Sequence, residues 1–414
     1  MSVVEVNMVN DQDSAGVAFS RRRTAELVFF VVFLEDGRMR AVGLFSGIGG
    51  FELGLSKAGI ETALLCENWG PATTVLANRF DVDQTGDITT LSALPAVDVV
   101  TAGFPCTDLS QVGRTAGIDG QESGLVRHVF RLVEKNPPTW LVLENVPNML
   151  TLHGGAPIRA VTDWLRGHGW KWAYRVVDSQ YFGVRQRRRR VLLVASKTQD
   201  PRTVLFADEA GVKILKRPHL AYGFYWTEGN RGLGWGEGVT PTLKGGSKLG
   251  IASPPAVWRP ARQVGEAIAR PSIAVGERLQ GFRAGWTRGV AKEGVRWKLV
   301  GNAVTVPVAA WIGRRLVEPA DYADVPRRPL VVGSRWPAAA SWVGGQFEAW
   351  ELSERPLATP YSRTLEGVLD QYGAVPLSLA ATAGFTRRLE ASTLRRRSDF
   401  NEALRAHVRF QSTN

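Results

Sequence analysis

Between Arg40 and Ser196, short apolar runs alternate with stretches of helical pattern. RAVGLF (40–45) reads as a buried strand, SGIGG as a tight turn and FELGLSKAG as a helix. The unit then repeats, with TALLCE (62–67), VDVVTAGF (97–104) and WLVLEN (140–145) as strands, each followed by a helical segment: PATTVLANRF, GLVRHVFRLVEKN and IRAVTDWLRGHG. WKWAYRVVDS and RVLLVAS add two further strands. This alternation predicts an α/β chain built on a doubly wound, Rossmann-like sheet. Such a sheet places ligands at the carboxyl ends of its strands.

From Lys197 to Arg270 the pattern lapses into Gly-, Pro-, Trp- and Lys-rich sequence, as in GFYWTEGNRGLGWGEG and TPTLKGGSKLG, which predicts a small irregular or β-rich insert. Helical pattern resumes at VGERLQGF and VPVAAWIGRRL and stops near Val317. Beyond it a Pro- and Trp-containing linker is expected to lead to a basic amphipathic helix, SDFNEALRAHVRF, with Phe400, Leu404 and Val408 on one face. The predicted divisions are a loose N-terminal extension (1–38), a first domain (39–196), the insert (197–270), a return to the first domain (271–317) and a C-terminal extension (318–414).

Composition narrows the class. Of 414 residues, 44% are hydrophobic and 22% charged, as expected for a globular chain with a packed core. Lys and Arg number 51 against 39 Asp and Glu, a net charge of +12 that favours a polyanionic partner such as nucleic acid. Two cysteines and five scattered histidines offer neither a disulfide framework nor metal-ligand spacing, so no metal and a reducing, cytoplasmic compartment are expected. The run LVFFVVFL (27–34) falls far short of the roughly 20 residues that span a bilayer, so no membrane association is expected.

The candidate chemistry gathers at predicted strand ends. The FSGIGG turn brings backbone close to a ligand, and Glu67, closing the next strand, has the acceptor oxygens that ribose hydroxyls need. Cys106, in GFPCTDLSQ, lies just past an apolar run among polar residues, where a thiolate is reachable, whereas Cys66 lies inside TALLCE and reads as core. Glu144 ends a hydrophobic strand, where burial favours a proton donor. In RQRRRRV (185–191), strand alternation sends Arg188 and Arg190 to one side and Arg187 and Arg189 to the other, one pair toward the cleft and one toward phosphates or solvent.

Taken in order, FSGIGG, Glu67, GDI (86–88), GFPCTDLS, ENV (144–146), QRRRR, RLQGF (278–282) and GNAV (301–304) resemble the DNA (cytosine-5)-methyltransferases of bacterial or phage type, over roughly residues 39–317. The resemblance implies a methyltransferase sheet with an inserted target-recognition domain, acting on double-stranded DNA with S-adenosylmethionine as cofactor. Cys106 would add to C6 of a cytosine flipped out of the helix, so that C5 accepts the methyl group. Glu144 would protonate N3, Arg190 would bind O2 with Arg188 supporting the pocket, and Asn145 would position Glu144. Phe45, Gly47, Ile48, Gly49, Glu67, Asp87, Ile88, Pro105, Leu125, Asn302 and Val304 match cofactor-holding positions. Ser110 matches the family's catalytic loop, here about 108–123, which would close over the base. In the insert, Arg231, Lys244, Lys248, Trp226 and Trp235 are the groups placed to meet DNA, although core packing is the commoner use of such aromatics.

The chain departs from the family pattern at Arg185, Val275 and Arg283, where proline, glutamate and proline are usual. The expected enzyme is a monomer in a restriction–modification system with a companion nuclease. Two alternatives stay open: a tRNA cytosine-5 methyltransferase, and a non-catalytic DNA-binding regulator on the same fold. The joint presence of Cys106, Glu144 and Arg190 weighs against the regulator. A nicotinamide oxidoreductase accounts for FSGIGG alone.

Overall fold

The computed structural model describes residues 37–104, 124–212, 221–245, 254–331 and 333–413. The first strands are β1 (Arg40–Leu44), β2 (Glu61–Cys66), β3 (Gln84–Thr85), β4 (Val99–Ala102) and β5 (Trp140–Asn145). They lie parallel in the spatial order β3-β2-β1-β4-β5. β6 (Lys171–Asp178) and β7 (Arg189–Ser196) continue the sheet, with β7 inserted between β5 and β6 and antiparallel to both. The strand order reverses between β1 and β4, and that reversal opens a crevice at their carboxyl ends.

The central strands read as unbroken apolar runs because both faces are covered. Val42, Leu44, Val100, Leu141 and Leu143 pack on one face beneath helices Leu125–Lys135 and Ala156–Gly167. Ala41, Val99, Trp140 and Val142 pack on the other beneath helices Gly50–Ser56 and Val306–Val317. These two helices touch where Gly54 meets Ala309, and a larger side chain at 54 would not fit. Cys66 is buried, as its apolar surroundings predict, and burial pushes its thiol up to about 11.

A second, antiparallel sheet holds β8 (Tyr222–Phe224), β9 (Gly236–Glu237), β10 (Ala256–Trp258) and β11 (Ile268–Pro271). Beyond Val317 the expected linker is corrected. β12 (Arg327–Pro329), β13 (Ala339–Val343) and β14 (Gln346–Trp350) pair antiparallel onto the β6 edge and bring the large sheet to ten strands. An open β6 edge would leave its backbone groups unpaired. The tryptophans that looked like linker residues instead pair across the new strands: Trp342 lies opposite Trp172 and opposite Phe347.

The chain then returns to the small sheet, where β15 (Ala374–Pro376) pairs with β11. Helices Leu379–Glu390 and Ser398–Thr413 cover that sheet through Phe385, Leu389, Phe400 and Leu404. On the last helix Phe400 and Leu404 are buried as predicted, but Val408 is only half-buried and His407 takes the inward place, a spacing of four and then three. Among the described residues no helix is long and apolar enough to cross a membrane.

Candidate active site

The turn after β1 is shaped for close approach. Phe45 (φ 57) and Gly47 (φ 57) both take the left-handed conformation, which costs a non-glycine residue such as Phe45 on the order of 1 kcal/mol. Nothing lies within 4 Å of where a side chain on Gly47 would begin, so its backbone faces open space. Gly49 (φ 81) is instead packed against the Phe80 ring. The Ile48 side chain is buried, and its carbonyl accepts from Trp286 Nε1 at 2.9 Å.

Glu67 reaches back from the end of β2 and accepts from the Gly47 and Trp69 amides, at 2.8 Å each. Each carboxylate oxygen thus braces the turn and keeps a further lone pair for a ligand. Asp87 accepts from the Thr89 amide at 2.8 Å, which holds its carboxyl below the usual range, and Ile88 is buried beside it. Val304 packs against the turn at Gly50, Leu125 is half-buried, and Asn302 is exposed beside Gly245. Open backbone, paired carboxylates and apolar walls fit an adenosyl cofactor carrying a positive charge.

At the end of β5, Glu144 is 8% exposed. Its Oε1 lies 2.7 Å from Arg190 Nε, an ion pair without hydrogen-bond alignment. β4 ends alongside: a side chain on Gly103 would begin 3.6 Å from Glu144 Oε2 and 3.8 Å from Val304 Cγ2. Asn145 is engaged with backbone on both sides of the strand end. Its side-chain amide donates to the Phe104 carbonyl at 3.2 Å and its oxygen accepts from the Val146 amide at 2.8 Å, so it ties the end of β5 to the chain entering the Cys106 loop. Pro105, Cys106 and Ser110 lie outside the described residues, as do Lys248 and the expected catalytic loop.

The arginines divide as alternation predicts, Arg187 and Arg189 being exposed, Arg188 buried and Arg190 half-buried. Arg188 stands beside the Glu144–Arg190 pair, but it donates to the carbonyls of Leu243 (3.3 Å), Gly301 (3.0 Å) and Ala303 (2.8 Å). Burial, with Arg190 adding to it, holds this guanidinium well below the usual arginine range. It clamps the chain between β9 and β10 to the GNAV segment.

Gln186 and Gln280, both fully buried, complete that clamp, and their residue type alone does not mark them in the sequence. Gln186 donates to the Leu279 carbonyl at 3.0 Å and accepts from the Leu243 amide at 2.8 Å. Gln280 donates to the Val300 carbonyl and accepts from the Thr305 hydroxyl. Both stand inside quoted motifs, QRRRR and RLQGF, which were the available signal.

A cleft opens between the two sheets, with Pro147, Arg187, Arg190, Trp235 and Thr242 on its walls. Trp235 stacks on Tyr222 at 5.0 Å and meets Phe400 edge to face, so it serves the core while one side reaches the cleft. Trp226 donates to the Pro254 carbonyl at 3.0 Å and packs against the small core. Lys244 is engaged internally, paired with Glu228 and seated 3.9 Å over the Tyr225 ring. Arg231 is exposed. Arg185, at one departure from the family pattern, lies 3.6 Å over the Tyr361 ring and donates to the Arg363 carbonyl at 2.6 Å.

A family model described as C-5 cytosine-specific DNA methylase matches residues 39–218. Type II methyltransferase M2.BsuMI of Bacillus subtilis (strain 168) is 43% identical over 363 residues, covering 80% of this chain and 92% of that protein. Type II methyltransferase M.MspI of Moraxella sp is 30% identical over 209 residues, covering 46% of this chain and 50% of that protein. The crystal structure of S. pombe Dnmt2 methyltransferase aligns with a TM-score of 0.51 at 14% identity, over 68% of this chain and 99% of that one, a likeness of fold.

Proposed function

The chain belongs to the C-5 cytosine-specific DNA methylases, and from that membership we propose that Cys106, Glu144 and Arg190 carry the methylation of cytosine C5 in DNA. S-adenosylmethionine supplies an electrophilic methyl group when bound. The Cys106 thiolate adds to C6 of the flipped base, Glu144 holds a proton at N3, and Arg190 turns its Nη2 to O2. C5 thereby gains the electron density that an unactivated pyrimidine lacks. Once C5 has taken the methyl group, loss of the C5 proton to solvent, expulsion of the Cys106 thiolate and return of the N3 proton to Glu144 would restore the ring.

The observation that carries this reading is the convergence of Gly103, Glu144 and Arg190 at one sheet edge. Chain connectivity keeps the Cys106 Cα within about 11 Å of that of Gly103. Phe45, Gly47, Ile48, Gly49, Glu67, Asp87, Ile88, Pro105, Leu125, Asn302 and Val304 are the proposed cofactor holders. Arg188 and Asn145 act as positioning residues, on the evidence of their carbonyl partners.

The small sheet, from about residue 221 and including β15 and the last two helices, is the proposed target-recognition unit, with the cleft as the seat of duplex DNA. Arg187 is the cleft guanidinium best placed to meet phosphate, alongside Arg231, Ser110 and Lys248. One chain supplies both walls of the cleft, which supports action as a monomer. The Type II names of the relatives support a companion restriction nuclease.

A duplex carrying 5-fluorocytosine at the target tests the assignment. Wild type is expected to form a stable covalent complex, and Cys106→Ser to form none while still binding DNA and cofactor. Substantial turnover by the serine variant overturns the nucleophile. Bisulfite sequencing of DNA from expressing cells reads out the recognised sequence.

A further inference from the structure

A buried carboxyl that the proposed reaction leaves unused lies beneath the Phe45–Gly50 turn. Glu52 stands in the first turn of helix Gly50–Ser56, is 2% exposed, and has no hydrogen-bond partner on either oxygen. Its Oε1 fills the space where a side chain on Gly43 would begin, and Ser46 Oγ lies 2.7 Å from that same point. The Ser46 hydroxyl donates its one proton to the Gly43 carbonyl at 3.0 Å. Neither carboxyl oxygen of Glu52 finds a well-formed donor among the described residues, which disfavours the charged form.

The electrostatics point the same way. Burial pushes the Glu52 carboxyl up to about 7 against the lowering effect of its own backbone amide and the Ser46 hydroxyl, and the neighbouring Glu67 charge just past β2 adds to the rise. Around it β1 contributes Gly43 and the turn contributes Ser46, and the helix Val306–Val317 packs on its own helix where Ala309 meets Gly54, none of them charged. Among the described residues no cation is paired with it. An uncompensated buried carboxyl of this kind costs stability, and it sits directly below the backbone proposed to hold a cationic cofactor.

We propose that Glu52 is a proton-exchanging counter-charge for the cationic methionyl part of S-adenosylmethionine. The side chain is a neutral acid when no cation lies over the turn. It ionises when that positive charge is seated, releasing its proton to solvent. The Ser46 hydroxyl can then turn its own proton from the Gly43 carbonyl to the new carboxylate. The inference rests on the reading of the turn as the cofactor cradle and adds to it a binding residue that acts from beneath.

The test is calorimetric titration of the full-length protein with S-adenosylmethionine, without DNA, in buffers of different ionisation enthalpy. Wild type is expected to release about half a proton at pH 7 and to bind about tenfold more tightly at pH 8 than at pH 6. Glu52→Gln is expected to bind with no proton release and a flat pH dependence, and its thermal unfolding verifies that it remains folded. Wild-type binding without proton release, or unchanged release in Glu52→Gln, overturns the inference while leaving the cradle intact. Absence of any binding by folded wild type removes the cradle and the inference with it.

Discussion

Glu144 and Arg190 meet across two antiparallel strands, Oε1 to Nε at 2.7 Å, at the edge from which β4 leads into Cys106. Each residue fixes the other: the guanidinium orients the carboxyl, and the carboxyl keeps the guanidinium from swinging out into the cleft. Their effects on rate should therefore not add. Glu144→Gln and Arg190→Ala are each expected to lower kcat by about 10²–10⁴-fold, and the double variant by little more than the worse single one. Single-turnover methylation rates with saturating DNA and cofactor measure this, and fully multiplicative losses would show that the two act separately.

The buried Glu52 carboxyl also predicts how stability responds to pH. Its folded value of about 7 lies above its ordinary 4.5, so the folded state binds the proton more tightly than the unfolded chain. The resulting penalty is absent below about pH 4.5, grows as pH rises toward 7, and is constant above it. Glu52→Gln removes the penalty. The variant is expected to gain up to about 3 kcal/mol at pH 8, shrinking toward nothing near pH 4.5. Urea unfolding at the two pH values reads the difference, and an equal effect at both would show that the change acts through packing alone.

Much of the fold was legible because its signals are local. The central strands are continuous apolar runs, and glycines mark the turn that follows β1. Cys66 was legible as core from its apolar neighbours alone. The linker reading of residues after Val317 failed because strands at a sheet edge take their partners from far away: Trp342 looks like a stray aromatic until Trp172 stands opposite it. Similarly, Arg188 and Arg190 share a strand face in the sequence pattern, yet one is spent on three carbonyls and the other faces a carboxylate. Those partners come from segments more than 40 residues distant, a distance that periodicity does not report.

Lys244 and Arg187 make a matched pair for a test of DNA binding. Lys244 carries the charge density expected of a phosphate contact but is held by Glu228 and the Tyr225 ring. Arg187 is exposed on the cleft wall, and among the described residues its guanidinium has no partner. Arg187→Ala is expected to reduce the slope of log affinity against log salt by about one unit, and Lys244→Ala to leave it nearly unchanged. Fluorescence anisotropy with a labelled duplex across salt concentrations distinguishes them. A full-unit loss at Lys244 with none at Arg187 would reverse the assignment.

The last helix makes the small sheet dependent on the far end of the chain. Phe400 is fully buried and touches Phe224, Trp235 and Trp258 at ring-centroid distances of 5.0, 5.1 and 5.2 Å. These rings come from three separate segments of the small sheet, and Phe400 touches all three. Two turns on, His407 is fully buried with Nδ1 3.1 Å from the Val264 carbonyl and Nε2 2.8 Å from the Leu377 carbonyl, pinning the helix to both flanks. Phe400→Ala is expected to cost about 3–5 kcal/mol of local stability. The loss should fall on the small sheet, because the core of the large sheet holds no residue of this helix. Hydrogen exchange followed by mass spectrometry is expected to show β8 and β10 losing protection while β1, β4 and β5 keep theirs. Uniform loss across both sheets would show that they unfold as one unit.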